Sequence, residues 1–319
     1  MLTRASLVLV ISLVGCGDER PVATCAGGPG WWPAPPVQGG GVQETAAVTL
    51  DGKVYVIGGF TATIEAVSSV RIYDAATCTW SDGPPLPGAI HHANAVVADR
   101  TLYVVGTLEG NFLASGVVWA WNPSTDAGWT PRTGMPVGTE RGAAVTGFID
   151  GRIYVAGGLN ESSQAMFSAY SIAEDRWDIS LPPLPQNRDH ACGGVVGGKL
   201  YVVGGRRDGV ISPLVFEYTP GGGWVEKAAM PTARAGIGCG LDRDRIAVAG
   251  GEGNGSIASG VFSEVEVYTV SRDRWESRDP MVTPRHGMGA AIVDGVLYVP
   301  GGATVMGFAA VDTHEALEL

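Results

Sequence analysis

A pair of adjacent glycines recurs along this chain about every fifty residues, and this repeat limits the possible folds more than any other feature. A degenerate copy lies at Gly106-Thr107, and each copy follows an apolar run. About fifteen residues later comes an aromatic residue, and a Trp follows it in five copies. The five intact pairs are Gly58-Gly59, Gly157-Gly158, Gly204-Gly205, Gly250-Gly251 and Gly301-Gly302.

Six copies of a unit this long, each with four strand-like segments, predict a propeller built of six four-stranded blades. Tight-turn pairs such as Asp51-Gly52 and Asp150-Gly151 separate the first two segments, as hairpins require. Charged residues make up only 17% of the chain and no segment predicts a helix. We therefore expect an all-β fold, with one six-bladed β-propeller over residues 31–319.

The pattern resembles the kelch repeat at each element, from about residue 31 to the end of the chain. The resemblance implies that the glycine pair ends the second strand, where a neighbouring blade leaves no room for a side chain. It also implies that the Tyr and Trp residues pack between blades. Kelch propellers most often act as interaction scaffolds, so the resemblance favours a binding role.

The two ends of the chain carry complementary parts of one blade. The sixth repeat stops after a third strand at 313–319, before any Trp. Trp32 precedes Gly58 by the same 26 residues that separate Trp80 from Gly106. We therefore expect an N-terminal strand to complete the last blade and close the ring, which removes the open sheet edges.

The N-terminus has the parts of an export signal: Arg4, a short apolar stretch at 7–14, and small residues after it. The segment Leu13-Val14-Gly15-Cys16 resembles the lipobox of bacterial lipoproteins, which implies a signal peptide at 1–15 and a lipid on Cys16. Residues 16–30 are then a tether, and Gly17 after the cysteine favours the outer membrane over the inner. The alternative is an ordinary signal peptide with a chance cysteine.

Four further cysteines in an exported chain permit disulfides. They are Cys25, Cys78, Cys192 and Cys239. Of the three pairings, Cys25 with Cys78 and Cys192 with Cys239 is favoured, because the first two lie near the ring closure and the others in adjacent repeats. Buried free thiols are the alternative for the second pair.

The charge of the chain narrows the class of partner. A net charge of −11 and a pI near 4.9 argue against nucleic acid, which needs clustered Lys and Arg. We expect contact with a membrane through the lipid alone, a monomeric chain, and no cofactor.

Counting back from each glycine pair gives the residues at one mouth of the central channel. Sixteen residues before it stand Arg141, Arg188, Arg234 and Arg285, and fourteen before it stand Glu44, His92 and His190. These seven residues are the candidate ligand site, since converging Arg side chains suit an anionic molecule. The alternative is structural: the Arg side chains bond backbone carbonyls, and the His residues are satisfied rim residues. No metal site is expected, because blades 1 and 4 face each other across the ring and should hold Glu44 away from His190.

Three functions remain open at this point. The first is a non-catalytic binding module at the cell envelope for an unknown protein or glycan, presented by the long loops at 60–69 and 252–263. The second is an enzyme acting on an anionic sugar, similar to the kelch-type sialate mutarotases, although no catalytic residue is assigned. The third is a structural component of a surface assembly. Arg side chains that bond to backbone carbonyls would favour the binding module over an enzyme that acts on a small molecule.

Overall fold

The computed structural model describes residues 27–319, which form six four-stranded antiparallel sheets arranged as the blades of a propeller. In each blade the strands follow one another from strand a, at the central channel, to strand d, at the rim. The tight turns a–b and c–d lie on one side, here called the turn face. The b–c loops and the connections to the next blade lie on the other, the loop face. The predicted all-β, six-bladed fold is confirmed.

The first three blades take up the first half of the chain. Blade 1 consists of Ala46–Leu50, Lys53–Ile57, Val70–Asp74 and Thr79–Asp82. Blade 2 consists of Ala95–Ala98, Thr101–Glu109, Leu113–Trp121 and Thr130–Pro131. Blade 3 consists of Val145–Ile149, Arg152–Ala156, Phe167–Ser171 and Arg176–Asp178.

The last three blades follow the same order. Blade 4 consists of Cys192–Val196, Lys199–Val203, Val215–Thr219 and Gly223–Lys227. Blade 5 consists of Gly238–Asp242, Arg245–Ala249, Val265–Thr269 and Arg274–Arg278. Blade 6 consists of Ala291–Val293, Val296–Pro300, His314–Glu318 and, from the other end of the chain, Trp31–Pro33.

The N-terminal strand closes the ring as expected, with Trp31 opposite Leu317 and Pro33 opposite Glu315. The sequence count was wrong by one residue, however. In the strands d of blades 1 and 3 to 5, the repeat Trp lies opposite the Tyr of strand c, and in blade 6 that register belongs to Trp31. Neighbouring residues of a strand point to opposite faces. Trp32 therefore packs into the core between blades 6 and 1 instead.

Three short ribbons add to the loop face. They are Val42–Gln43 with Phe60–Thr61, Leu159–Asn160 with Ser162–Ser163, and Arg206–Arg207 with Val210–Ile211. A 3-10 turn, Val270–Arg272, joins strands c and d of blade 5. Among residues 27–319 there is no helix long and apolar enough to span a membrane.

The glycine pairs hold adjacent blades at close range. A Cβ on Gly157 would lie 2.5 Å from the carbonyl oxygen of Arg188 in the next blade, and both glycines of the pair have positive φ. The N–H of Gly158 donates to that same carbonyl at 2.7 Å. One peptide group therefore fills the space that a side chain would need, which explains the repeat.

The indole of each repeat Trp ties its blade to the one before. Trp80 Nε1 donates to the carbonyl of Pro35 at 2.9 Å, and Trp129 Nε1 donates to Pro84 at 3.1 Å. Four more indoles make the same kind of bond: Trp177, Trp224, Trp275 and Trp31. The predicted packing of Tyr and Trp between blades is confirmed, and the buried apolar clusters span neighbouring blades in the same way.

One of the predicted disulfides lies within the described residues. Cys192 and Cys239 are joined across strands a of blades 4 and 5, with Cα atoms 5.7 Å apart. Cys25 lies outside the described residues, so its pairing with Cys78 stays a prediction. The signal peptide and Cys16 also lie outside them.

Candidate functional site

The four predicted channel arginines do not line the channel mouth. Arg141, Arg188, Arg234 and Arg285 are at most 1% exposed. Arg141 is typical: its Nε donates to the Gly157 carbonyl at 2.7 Å and its Nη2 to the Val155 carbonyl at 2.9 Å, both in its own blade. Burial lowers its pKa to about 10, so the guanidinium stays charged at neutral pH. The predicted ligand-binding role of this set is therefore wrong, since all four guanidinium groups are buried out of reach of a ligand. Those of Arg141, Arg234 and Arg285 bond to carbonyls of strand b, whereas that of Arg188 does not.

Acidic residues on strand c complete two of these braces. Arg234 Nη1 lies 2.5 Å from Glu266 Oε2, and Arg285 Nη2 lies 3.2 Å from Glu315 Oε2. In blade 4 the equivalent strand position holds Phe216, and the Arg188 guanidinium lies 5.9 Å from its ring. Nε and Nη1 of Arg188 have no hydrogen-bond partner among the described residues.

The true boundary of the mouth is a closed ring of backbone hydrogen bonds. Each N–H of the ring donates to the carbonyl of the equivalent residue in the preceding blade, and the N–H of Glu44 donates to Gly287 to complete the circle. The five other bonds measure 2.8–3.2 Å. The ring residues are Glu44, His92, Ala143, His190, Gly236 and Gly287, which are the residues fourteen positions before each glycine pair.

All six ring residues have a left-handed backbone, with φ between 49° and 62°. This conformation is uncommon for residues other than glycine and costs about 1–3 kcal/mol where the surroundings impose it. Blades 5 and 6 place glycine there, whereas Glu44, His92 and His190 accept the conformation with large side chains. The ring is small because its members bond directly to one another, so side chains on it meet at the propeller axis.

Glu44, His92 and His190 do meet there, which corrects the expectation that the ring would hold Glu44 and His190 apart. His92 Nε2 lies 3.0 Å from Glu44 Oε2 and 3.0 Å from His190 Nε2. One ligand atom from each of the three residues falls within a 4.8 Å span. The two imidazoles are 4–5% exposed and the carboxylate is 11% exposed. The geometry is that of two imidazoles and one carboxylate facing one point.

Neighbouring residues hold the two imidazoles in place from behind. His91 Nε2 donates to the Gly110 carbonyl at 3.2 Å, and its Nδ1 lies 2.6 Å from Nδ1 of His92. His190 Nδ1 lies 2.5 Å from Asp189 Oδ1. Each imidazole of the cluster thus presents its Nε2 atom to the axis and its Nδ1 atom to a fixed partner.

A second arc of charge completes the circle on the other side of the axis. Arg206 Nε lies 2.9 Å from Asp189 Oδ1, and its Nη1 lies 2.6 Å from Glu252 Oε1. His286 Nδ1 lies 3.5 Å from Glu252 and 3.7 Å from Glu44. Blades 1, 2, 4, 5 and 6 all contribute, whereas blade 3 places Ala143 at the ring.

Burial and mutual contact set the ionisation of this cluster. Burial alone would raise the pKa of Glu44, but the surrounding histidines, His92 above all, hold that pKa well below its usual range. Burial lowers the pKa of His190, and the Asp189 carboxylate opposes this only in part. Burial also lowers the pKa of His91 to about 4. The cluster therefore places an ionised carboxylate close to two imidazoles, those of His91 and His190, whose burial disfavours protonation.

Aromatic side chains cover the cluster on the loop face. Phe60 stacks on His91 with ring centroids 4.0 Å apart, and Phe112 lies 5.4 Å from His92. Phe308 packs on Phe60 at 5.5 Å, and both Phe112 and Phe308 are more than two-fifths exposed. The way to the cluster from the loop face is thus lined by apolar rings.

Two cavities lie along the axis. The smaller, of about 110 Å³, is bounded by the ring residues and the residue after each of them. The larger, of about 380 Å³, is lined by strands a, with residues such as Val48, Val97 and Phe148. A charged cluster therefore lies at the loop end of a channel whose other lining residues are uncharged.

The comparisons with known proteins agree with this architecture. Residues 44–87, which include all four strands of blade 1, match the kelch motif. The Kelch-like protein terF of Aspergillus terreus is 33% identical over 285 residues, or 83% of this chain. The chain is a six-bladed β-propeller of the kelch type. Human Kelch-like protein 23 is 25% identical over 78% of this chain, and mouse Kelch-like protein 35 is 31% identical over 56%.

The kelch-repeat propeller corresponds to only part of each relative. It spans 62% of terF, 43% of human Kelch-like protein 23 and 30% of mouse Kelch-like protein 35. These relatives support the repeat family and the fold. They do not carry a lipid anchor over to this chain.

Sequence reasoning missed several members of the site in this kelch-repeat propeller, namely Asp189, Arg206, Glu252 and Phe60. A signal for them was present in the repeat. The residue two positions after the first glycine of each pair bridges to the residue just before the ring, as in Asp189 with Arg206 and Ala235 with Glu252. Aligning that position in all blades would have placed Phe60, Arg206 and Glu252 at the mouth.

Proposed function

We propose that this kelch-repeat propeller is a non-catalytic interaction module that binds a protein partner at the cell envelope through its loop face. Kelch-repeat relatives favour a protein-interaction module in general. A glycan partner is the alternative occupant of the same face. The observation that carries the proposal is the distribution of exposed apolar side chains.

Exposed large apolar residues concentrate on the b–c loops. Of the twelve such residues among those described, seven lie there: Ile64, Phe112, Val210, Ile257, Val305, Met306 and Phe308. An eighth, Leu113, is the first residue of the strand c that follows such a loop. Leu113 is 72% exposed and Met306 is 60% exposed. Scattered single apolar residues are normal on a surface, but a concentration on one face marks an interaction site. Aromatic residues and Met are also enriched in protein interfaces.

The competing function, an enzyme on an anionic sugar, depended on arginines that bind the anion. All four of those guanidinium groups are buried in their own blades. Arg206, the arginine of the axial cluster, is already engaged by Asp189 and Glu252. No observation therefore favours this second function over the interaction module.

The location at the cell envelope is part of the proposal, and it rests on the sequence. Its support is the export signal and the lipobox-like segment that ends in Cys16. A lipid on that cysteine would keep the propeller at the outer membrane, as the following Gly17 favours.

The loop-face proposal predicts a position-dependent cross-link in the native host. A photo-reactive amino acid at Leu113 should capture a discrete protein adduct, because this side chain lies within the apolar face. The same amino acid at Val225, which is 53% exposed on strand d of blade 4, is the matched control. We expect Met306→Asp to remove the adduct formed from position 113. Equal adducts from both positions, or none from either, would contradict the proposal.

A further inference from the structure

The hydrogen bonds around the axial cluster leave three lone pairs directed at one point. The Gly110 carbonyl requires a proton on Nε2 of His91, so a neutral His91 offers a lone pair at Nδ1. His92 must then donate from Nδ1. Asp189 likewise requires a proton on Nδ1 of His190. In the neutral imidazoles, Nε2 of His92 and Nε2 of His190 therefore each carry a lone pair. The two atoms face each other beside the Glu44 carboxylate.

Arg206 Nη2 lies 3.2 Å from Nε2 and 3.3 Å from Nδ1 of His190, so this guanidinium lies beside that ring. Among the described residues, Nε2 of His92 has only His190 Nε2 and the Glu44 carboxylate as polar neighbours, so a cation between the three atoms would stabilise the arrangement. Nε2 of His92 and Nε2 of His190 are only 3.0 Å apart, and two facing lone pairs at that distance repel. The cation is either a proton, which would make His92 an imidazolium paired with Glu44, or a metal ion.

The spacing suits a metal ion. Ligand atoms about 2.0–2.2 Å from a zinc ion lie roughly 3–4 Å from one another. The three atoms here lie within 4.8 Å of one another, with two of the separations at 3.0 Å. The cavity of about 110 Å³ at the ring leaves room for a further ligand such as water.

The partners behind the imidazoles are those that metal-binding histidines use. A ligating His commonly donates its other ring N–H to a carboxylate or a similar acceptor, which fixes the ring and raises its basicity. Asp189 does this for His190, and His91 does it for His92. The supporting contacts are present on both sides, although blades 2 and 4 are separated by blade 3.

The charge of the cluster also calls for a divalent cation. Three carboxylates, Glu44, Asp189 and Glu252, face one guanidinium, Arg206, among the described residues of the cluster. With neutral imidazoles the sum is −2. Buried charge needs compensation, and Arg206 is held by two carboxylates so that its own charge is already paired.

We propose that Glu44 Oε2, His92 Nε2 and His190 Nε2 bind one divalent transition-metal ion of the zinc type on the propeller axis. Asp189 and His91 are positioning residues that orient the two imidazoles. Two imidazoles and one carboxylate suit Zn²⁺ or Co²⁺ rather than Mg²⁺ or Ca²⁺, which prefer oxygen ligands. The site is separate from the loop-face contact, which the cross-link at position 113 tests without any metal.

The test is a titration of the full chain, purified in detergent and stripped of metal with a chelator. We expect calorimetry with Zn²⁺ to give one ion per chain, and Co²⁺ to give the visible absorption bands of a low-symmetry site. Glu44→Gln and His190→Gln should not bind at Zn²⁺ concentrations that saturate the parent. Asp189→Asn should weaken binding about 10- to 100-fold.

The matched control is His286→Gln, which removes an imidazole that contacts Glu44 without being a ligand. It should keep one ion per chain. If a ligand variant fails to fold, thermal unfolding of the parent and of Asp189→Asn provides the test instead. Zn²⁺ should raise the unfolding temperature of the parent, and it should raise that of Asp189→Asn by less. A parent that binds no more Zn²⁺ than Glu44→Gln would mean that a proton on His92 closes the cluster, and would overturn the proposal.

Discussion

At the scale of single residues, the four buried arginines show how one repeat position can serve different partners. Arg234 and Arg285 each contact a Glu on strand c, whereas Arg141 meets Ser168 and Arg188 meets the ring of Phe216. Breaking a buried ion pair costs more than its presence contributes, because the remaining charge is left without compensation. Residues in the same repeat position should therefore differ in their effect on stability.

Arg234→Met should lower the free energy of unfolding by about 3–5 kcal/mol, because it leaves Glu266 buried without its guanidinium. Arg188→Met is the matched control. It removes a guanidinium that has no carboxylate partner among the described residues and lies against an aromatic ring, so the loss should be clearly smaller. Chemical denaturation of both variants measures the difference. Equal losses would show that the ion pair with Glu266 does not set the cost.

The repeat count identified Glu44, His92 and His190 as neighbours of the mouth but misassigned the arginines two positions earlier. Sequence spacing gives the position of a residue along a strand, whereas the direction of its side chain depends on the backbone turn between the two positions. The left-handed ring residue provides that turn. Spacing also gave no measure of the ring's width, so the meeting of Glu44 with His190 could not be foreseen.

At the scale of elements, the closing strand pairs residues from the two ends of the chain. Sequence predicted this element because the last repeat lacked a piece that the N-terminus supplied. Side chains seal the joint: Nδ1 of His314 lies 3.0 Å from the Pro35 carbonyl, and its ring packs on Tyr73 and Trp80. His314 is 2% exposed, and Arg285 is the charged group that acts on it.

Burial lowers the pKa of His314 from 6.5 to about 3, so the unfolded chain binds a proton more readily than the folded chain between these values. The stability that neutral His314 allows is thus present above about pH 6.5 and is lost as the pH falls towards 3. In His314→Asn, the unfolding free energy should fall less steeply as the pH is lowered, by up to about 1.4 kcal/mol per pH unit. Unfolding free energies measured from pH 7 to pH 4 test it. An unchanged slope would show that His314 is not the group responsible.

At the scale of the whole molecule, six blades form one closed body in which every blade has two neighbours. Indole bonds, glycine pairs and the axial ring each join successive blades, and the disulfide reinforces the contact of blades 4 and 5. The repeat predicted this architecture, because a single four-stranded blade cannot bury its apolar faces without neighbouring blades. The identity of the partner could not be foretold, since it depends on loops that the repeat does not constrain.

The proposed lipid anchor predicts where the whole molecule resides in the cell. The parent chain should incorporate a labelled fatty acid and sediment with membranes, whereas Cys16→Ala should lose the label. Cys25→Ala is the matched control and should keep it, because the lipobox-like segment ends at Cys16. Fluorescence of the labelled acyl chain after electrophoresis reports both. Label that persists in Cys16→Ala would contradict the anchor.

The direction in which the chain joins the ring determines which side of the propeller would face a bilayer. Strand d of blade 6 runs antiparallel to His314–Glu318, with Trp31 opposite Leu317, so the chain joins the ring from the turn face. The thirteen residues between Cys16 and Gly30 allow these two residues to be at most roughly 50 Å apart. A propeller tethered in this way has its turn face next to the membrane. Its apolar loops and the axial histidines then face away from the bilayer, towards the side from which a partner would approach.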